Sequence, residues 1–377
     1  NCVVISNPKE WEIWAAPEIK LPKEIHSTLF IKDIQYELKP YLQISNYELP
    51  LSGILEIDAP GSMQWDKGIY SGPFLLKPNA YGSWTLIEKV PLETYLEGVV
   101  PYEIGSSSPD SALSAQAVLA RTWALANIRR YFIDGYHLCS TTQCQVYKDP
   151  SKVAKSVKNA IKDTYGKVLL WANKPIQAFY HASNGGVMAS VSEAWSMQKM
   201  PYLKEKIDGN RMLRKIYKVP IKENNLKVLL LNKSGIFGNN HKLFRWTRIV
   251  SSQEIKNSLI SSKLALDIPA EINVLARGKS GRVVSLEIIG ADSVSRRLLE
   301  VDEIRRTLKF LPSTLFIVKK LEEGLWEFQG GGFGHGVGLS QAGAIDLALQ
   351  GWNTEQILRH YYPGTNLGPL PENWMAP

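Results

Sequence analysis

The chain has 377 residues, 44 Lys and Arg against 36 Asp and Glu, and 44% hydrophobic residues, which is enough for a sizeable core and two or three domains. This composition is that of an ordinary globular protein, and no apolar run reaches the roughly 18 residues of a transmembrane helix. The net charge of +8 favours a polyanionic surface such as nucleic acid, membrane or an acidic wall polymer. The basic pairs Arg129-Arg130, Arg296-Arg297 and Arg305-Arg306 are scattered, however, and without a basic block nucleic acid is not expected as a partner. The 11 Trp and 16 Tyr include rings that can stack on sugar faces, although most such rings pack in cores. Three cysteines exclude a disulfide-dense scaffold.

Residues 1 to about 90 read as β-rich. Leu42 to Ser45 and Leu55 to Asp58 alternate apolar with polar, and Pro60-Gly61 and Gly72-Pro73 mark turns. A short helix is expected from Pro91, stopped by Gly98. Asp110 to about Tyr131 is the clearest helix, with Ser108 as its cap and alanines on several faces, which suits a central position. Another helix over 152–162 precedes a hairpin of strands 168–171 and 176–180. That hairpin leads into the polar loop His181-Ala182-Ser183-Asn184-Gly185-Gly186. Residues 204 to 270 are charged and weakly patterned, and site residues are not expected there. Strands at 272–275 and 283–288 follow, joined through Gly278-Lys279-Ser280-Gly281. Helices are then expected at 301–308, 341–350 and 354–361. The expected fold class is α+β, with mixed helices and antiparallel sheet and a β-rich N-terminal part. The expected divisions are 1–88, a catalytic core with the central helix at 89–203, an inserted hairpin subdomain at 204–300, and a C-terminal part at 301–377 that returns to the core.

Between Gly330 and Gly338 six of nine residues are glycine, interleaved with Phe333, His335 and Val337. A flexible linker would lack those side chains, so the stretch reads as a site loop in which backbones approach closely. Glu103 follows Val99-Val100-Pro101-Tyr102; a carboxyl among apolar neighbours holds a proton more readily, as a general acid must. His137, Cys139 and Cys144 lie within eight residues, which suits either three ligands of a structural zinc or a Cys139–Cys144 disulfide. His181, His335 and His360 are further candidates, and Ser183 beside His181 does not by itself make a triad.

Several ordered segments resemble the stage II sporulation protein D family, also called the SpoIID/LytB domain. They are Val90 to Ile104, Ala115 to Thr122, Cys144-Gln145-Val146-Tyr147, His181 to Gly186, Gly281-Arg282-Val283, Leu311 to Thr314 and Gly332 to Gly343. The resemblance implies an exported or envelope-associated lytic transglycosylase. Such an enzyme cuts peptidoglycan between N-acetylmuramic acid and N-acetylglucosamine and leaves a 1,6-anhydro end. Glu103 would be its general acid and base, with Gln116, Arg121, His181, Ser183, His335 and Gln341 around the glycan. No cofactor is required, although zinc in some members maps loosely onto His137, Cys139 and Cys144. The LytB name implies the alternative of a non-catalytic wall-binding enhancer of an amidase. The chain departs from the family pattern at Ser111 and Ser114, where Glu and Lys are usual, at Ile104 for Met and at Trp123 for Tyr.

Overall fold

The computed structural model describes residues 84–372 without a break, residues 53–57, 68–78 and 374, and backbone strands at 2–3, 12–14, 41–44, 47–50 and 63–65. The expected turn at Pro60-Gly61 lies outside the described residues. The described residues form helices and several antiparallel sheets, so the protein is mixed α+β. Among the described residues no helix is long and apolar enough to cross a membrane. The chain forms two compact units: residues 1–107, 120–177 and 368–377 make the first, and 108–119 with 178–367 the second.

In the first unit, strand Trp84–Pro91 pairs in parallel with Cys2–Val3 and antiparallel with Phe74–Pro78. Its middle residues, Leu86, Ile87 and Glu88, are buried in succession, as in a strand covered on both faces. Helix α1 (Leu92–Glu103) follows directly. Leu92, Tyr95, Leu96, Val99 and Val100 form its buried stripe at the three- and four-residue spacing of one helix face. The helix runs through Gly98 rather than stopping there. It ends at Gly105 (φ +88°), whose N–H donates to the Pro101 carbonyl at 3.2 Å, a left-handed cap.

Helix α2 (Asp110–Ala126) is shorter than its pattern suggests. Asn127 donates its side-chain amide to the Trp123 carbonyl at 2.8 Å, and the chain turns away through residue 131. Residues Ala112 to Leu125 of α2 are buried on every face, so it is the central helix the alanines predict. Helix α3 (Lys155–Asp163) buries Val157, Ala160 and Ile161. Strand Lys167–Trp171 then folds back at Ala172 and Asn173, both with φ near +50 to +60°, the left-handed pair of a tight hairpin. Only Lys174–Pro175 of the return arm pairs with it.

Arg121, on α2, ties the first unit together. Its Nε and Nη2 donate to the two Glu93 oxygens at 2.7 and 2.6 Å, and Nη1 donates to the Lys167 carbonyl at 2.9 Å. A forked, two-point pair of this kind is strong and directional.

The second unit contains helices α4 (Arg211–Ile216), α5 (Glu223–Leu231), α6 (Ser252–Ser261), α7 (Glu303–Thr307), α8 (Gln341–Leu349) and α9 (Thr354–Tyr361). The span 204–270, expected to be loosely organised, holds three of them and strand Arg245–Ser251. Ser251 and Glu254 cap α6 reciprocally. One core gathers Trp246, Ile255, Leu286, Phe316 and Phe328, and a second gathers Val187, Leu226, Leu229, Ile236 and Phe244. The hairpin of Pro269–Arg277 with Val283–Gly290 forms where the sequence predicts it. The predicted strand 176–180 shrinks to Tyr180–His181, which pairs in parallel with Leu339–Ser340.

Because Arg121 is 1% exposed, removing its counter-charge leaves a buried cation uncompensated. Glu93→Gln is expected to lower unfolding free energy by about 3 kcal/mol, measured by urea denaturation. An unchanged midpoint would show that the pair does not hold the unit.

Candidate active site

Glu103 is the last residue of α1 and is partly exposed. The Val146 N–H donates to its Oε1 at 2.9 Å. Residues 145–149 run along α1 and hold that donor in place. Tyr95 Oη donates to Gln145 Oε1 at 3.1 Å, Gln145 Nε2 donates to the Ala120 carbonyl, and the Lys148 N–H donates to the Gly98 carbonyl at 3.0 Å. Tyr102 Oη donates to the Asp149 carbonyl at 3.2 Å. The Tyr95 and Tyr147 rings stack at 5.1 Å. A Cβ at residue 98 would lie 2.3 Å from the Tyr147 ring and 2.5 Å from the Lys148 carbonyl oxygen. Gly98 is therefore there for the close approach of this segment, which is why it does not end the helix.

Beneath this segment Tyr147 Oη donates to Glu88 Oε2 at 3.0 Å, and the Ser71 and Gly72 amides donate to Glu88 Oε1. Glu88 is 1% exposed. Burial pushes its carboxyl up to about 7, against the opposing effect of these hydrogen bonds. Sequence reading missed Glu88, since its strand shows only a lone acidic residue in an apolar run.

Arg121 faces no solvent and is committed to Glu93 and backbone carbonyls, so its role is structural rather than glycan-binding. Cys139 and Cys144 are separate thiols placed together, and the Cys139 N–H donates to Cys144 Sγ at 3.1 Å. Hydrogen bonding from Cys144 draws the Cys139 thiol down to about 5, and burial lowers His137 to about 3. A thiolate and a neutral imidazole are chemically suited to a soft metal. Among the described residues, however, no three His, Cys, Asp or Glu side chains converge as a metal site requires. Among the described residues His137, Cys139 and Cys144 do not form such a group, and the two cysteines stand as free thiols.

The other predicted residues belong to the second unit. Gln341 Nε2 donates to Gln116 Oε1 at 3.4 Å, and both side chains are buried. His181 donates from Nδ1 to the Val337 carbonyl at 3.1 Å, which leaves Nε2 an acceptor; that atom is buried without a hydrogen-bond partner. His335 accepts the Val337 N–H at Nδ1, so its Nε2–H donates to the Tyr180 carbonyl at 3.0 Å. The two imidazoles lie 5.1 Å apart, and Trp195 packs 4.7 Å from His335. Burial lowers His335 to about 4 and His181 well below its ordinary range, so both are neutral. Ser183 is buried and exchanges backbone bonds with Phe333, and its Oγ accepts from the Gly185 N–H.

The glycine loop packs backbone on backbone. A Cβ on Gly338, whose φ is +74°, would lie 1.9 Å from the Phe179 carbonyl oxygen. At Gly336 the loop lies against the buried guanidinium of Arg282, which donates to the Val187 and Asn184 carbonyls. Outside the sequence-predicted set, Asp208 is fully buried. It accepts from Asn184 Nδ2 at 2.6 Å, Tyr361 Oη at 3.0 Å and His360 Nε2 at 2.7 Å, while Lys206 Nζ approaches His360 Nδ1 at 3.1 Å. The network pins the 184–186 loop to α9.

A family model described as stage II sporulation protein matches residues 80–171, and one described as a domain of unknown function matches 189–338. Stage II sporulation protein D of Bacillus amyloliquefaciens is 29% identical over 299 residues, 74% of this chain and 75% of that protein. Its counterpart in Bacillus subtilis is 26% identical over 296 residues, with the same shares. Residues 80–171 form a SpoIID-family domain. The amidase enhancer of Bacillus subtilis is 30% identical over 290 residues, covering 72% of this chain and 40% of that protein. The SpoIID match contains Glu103, Gln116, Arg121 and both clustered cysteines; His335 falls in the second match, and His181, Ser183 and Gln341 fall in neither.

Two expectations follow from these contacts. Glu88 carries a raised folded pKa of about 7, so its folded form keeps a proton that the unfolded chain releases near the ordinary carboxyl value. Its contribution is therefore full below about pH 4.5 and is lost as pH rises through 7. Wild-type stability is expected to fall across that window by on the order of 3 kcal/mol more than that of Glu88→Gln, read from denaturation curves at several pH values. Parallel pH profiles for the two proteins would contradict a buried, protonated Glu88. Gly338→Ala is expected to cost at least about 2 kcal/mol; an unshifted melting temperature would mean that the loop yields.

Proposed function

We propose that this protein, with its SpoIID-family domain, is a lytic transglycosylase of peptidoglycan glycan strands, with Glu103 as general acid and base. The observation that carries the reading is the placement of Glu103: a partly exposed carboxyl group at a capped helix end, with one oxygen fixed by the Val146 N–H. Fixed orientation is what a proton-transfer group needs. Glu103 gives its proton to the glycosidic oxygen as the bond from C1 of the muramic acid breaks. The 6-hydroxyl of the same sugar closes on C1 and returns its proton to Glu103. No water is consumed, so the second carboxylate that activates water or forms a covalent intermediate in glycoside hydrolysis is not required. Such a substrate puts the protein in the cell envelope.

A second reading is favoured by the similarity to a protein named amidase enhancer: a wall-binding module that accelerates a separate amidase without cutting glycan itself. The exposed ring of Tyr102, next to Glu103 in the chain, suits either reading, because stacking on sugars serves binding and catalysis alike.

Purified peptidoglycan, intact or stripped of stem peptides by an amidase, is to be incubated with the wild type and with Glu103→Gln, and the soluble products weighed by mass spectrometry. The proposal expects anhydro-ended sugars from the wild type and a loss of about 10²–10⁴-fold in the variant, with an unchanged melting temperature. Reducing ends would replace transglycosylation with hydrolysis. No products from either substrate, together with amidase acceleration that Glu103→Gln retains, would transfer the assignment to the enhancer reading.

A further inference from the structure

The turn that follows α2 carries side chains that neither the core nor the Glu103 site uses. Ile133 is 97% exposed and Phe132 63%, and the preceding Arg129 and Arg130 are exposed as well. A scattered exposed apolar residue is ordinary. Here two stand together at the tip of a turn that is fixed from within. Phe132–Asp134 is a single 3₁₀ turn closed by Gly135 (φ +80°), whose N–H donates to the Phe132 carbonyl at 3.0 Å. Behind the tip, the Tyr131 and Tyr136 rings stack at 4.8 Å, and Lys77 Nζ donates to the Asp134 carbonyl at 3.2 Å. The arginines are held beside the apolar side chains: the guanidinium of Arg129 lies 5.5 Å from the Phe132 ring centre, and that of Arg130 lies 6.0 Å from the Tyr131 ring centre.

We propose that this tip docks on an anionic lipid surface. Phe132 and Ile133 enter the boundary between headgroups and acyl chains, and Arg129 and Arg130 meet lipid phosphates. Charge selects the partner: Asp134 is the only acidic residue between Asp110 and Asp149, so the tip is a basic collar around an apolar point. Such a combination is what binds proteins peripherally to anionic bilayers. A side chain as exposed as Ile133 protrudes, and a fluid surface accepts a protrusion without a matching pocket, whereas a protein partner must supply one. The placement is independent of whether Glu103 cuts glycan.

Co-sedimentation of the full chain with phosphatidylcholine vesicles, with and without phosphatidylglycerol, tests this directly. Binding is expected only where phosphatidylglycerol is present, and it should weaken with salt. Phe132→Ser with Ile133→Ser is expected to reduce it by about tenfold or more. Arg129→Gln with Arg130→Gln is expected to lose about fivefold for each arginine. Because these side chains lie at the surface, the variants should melt like the wild type, which separates lost docking from lost folding. Absence of vesicle binding, equal binding by the tip variants, or tip-dependent capture on a protein without vesicle binding would each overturn the proposal.

Discussion

The first unit depends on one close approach, that of residues 145–149 to α1 at Gly98. With no side chain at that position, the Tyr147 ring and the Lys148 carbonyl lie against the helix backbone. The Lys148 N–H bonds to the Gly98 carbonyl, and the Val146 N–H arrives at Glu103. Tyr147 reaches through to Glu88 on the strand below. A single absent methyl group thus sets the position of a whole segment, and that segment sets the orientation of the partly exposed carboxylate. Packing of this density transmits small displacements instead of absorbing them, so Glu103 is only as well placed as Gly98 and Tyr147 allow.

The second unit solves a similar problem in another way. Its glycine loop lets two irregular segments lie backbone to backbone, where side chains on Gly332 or Gly338 would collide with the Ser183 or Phe179 carbonyl. Irregular backbone has no ladder of its own to satisfy its polar groups. Arg282 supplies donors to the Val187 and Asn184 carbonyls, and Asn184 is held in turn by Asp208. The two histidines of this region are neutral and have their Nδ1 or Nε2 bonds assigned to backbone. A buried neutral imidazole is poorly suited to donating charge at neutral pH. The loop that the sequence marks most strongly as a site is, in its glycines, first a packing device.

What the sequence made legible follows from how local each signal is. The α+β class, the central α2, the 269–290 hairpin and α9 all rest on periodicity and turn residues within a few positions, and all appear. Gly98 and residues 127–131 misled for the same reason: a glycine is a stop signal only until a distant ring occupies the space above it, and a helical pattern does not reveal Asn127 bonding back to Trp123. The span 204–270 hides its order because its apolar residues serve two separate cores, which blurs any single period. Arg121 could be read as a ligand contact or a buried partner, and only the Glu93 geometry decides. Asp208 and Glu88 carried no local signal at all. Their meaning lies in partners between 16 and 153 residues away.

The carboxylates of the first unit also bear on the chemistry proposed for Glu103. Strand Trp84–Pro91 and α1 carry four glutamates: 88, 93, 97 and 103. Glu88 is buried beneath Tyr147, Glu93 is bound at both oxygens by Arg121, and Glu97 faces Lys158 of α3 at 3.7 Å. Glu88, Glu93 and Glu97 are thus engaged by neighbours that give the unit its shape, and each would have to abandon such a partner to act on a substrate. A mechanism needing two carboxylates from this segment would set catalysis against stability. Intramolecular closure by a sugar hydroxyl asks for one, and Glu103, partly exposed and oriented by a backbone amide, meets that requirement without disturbing the other three.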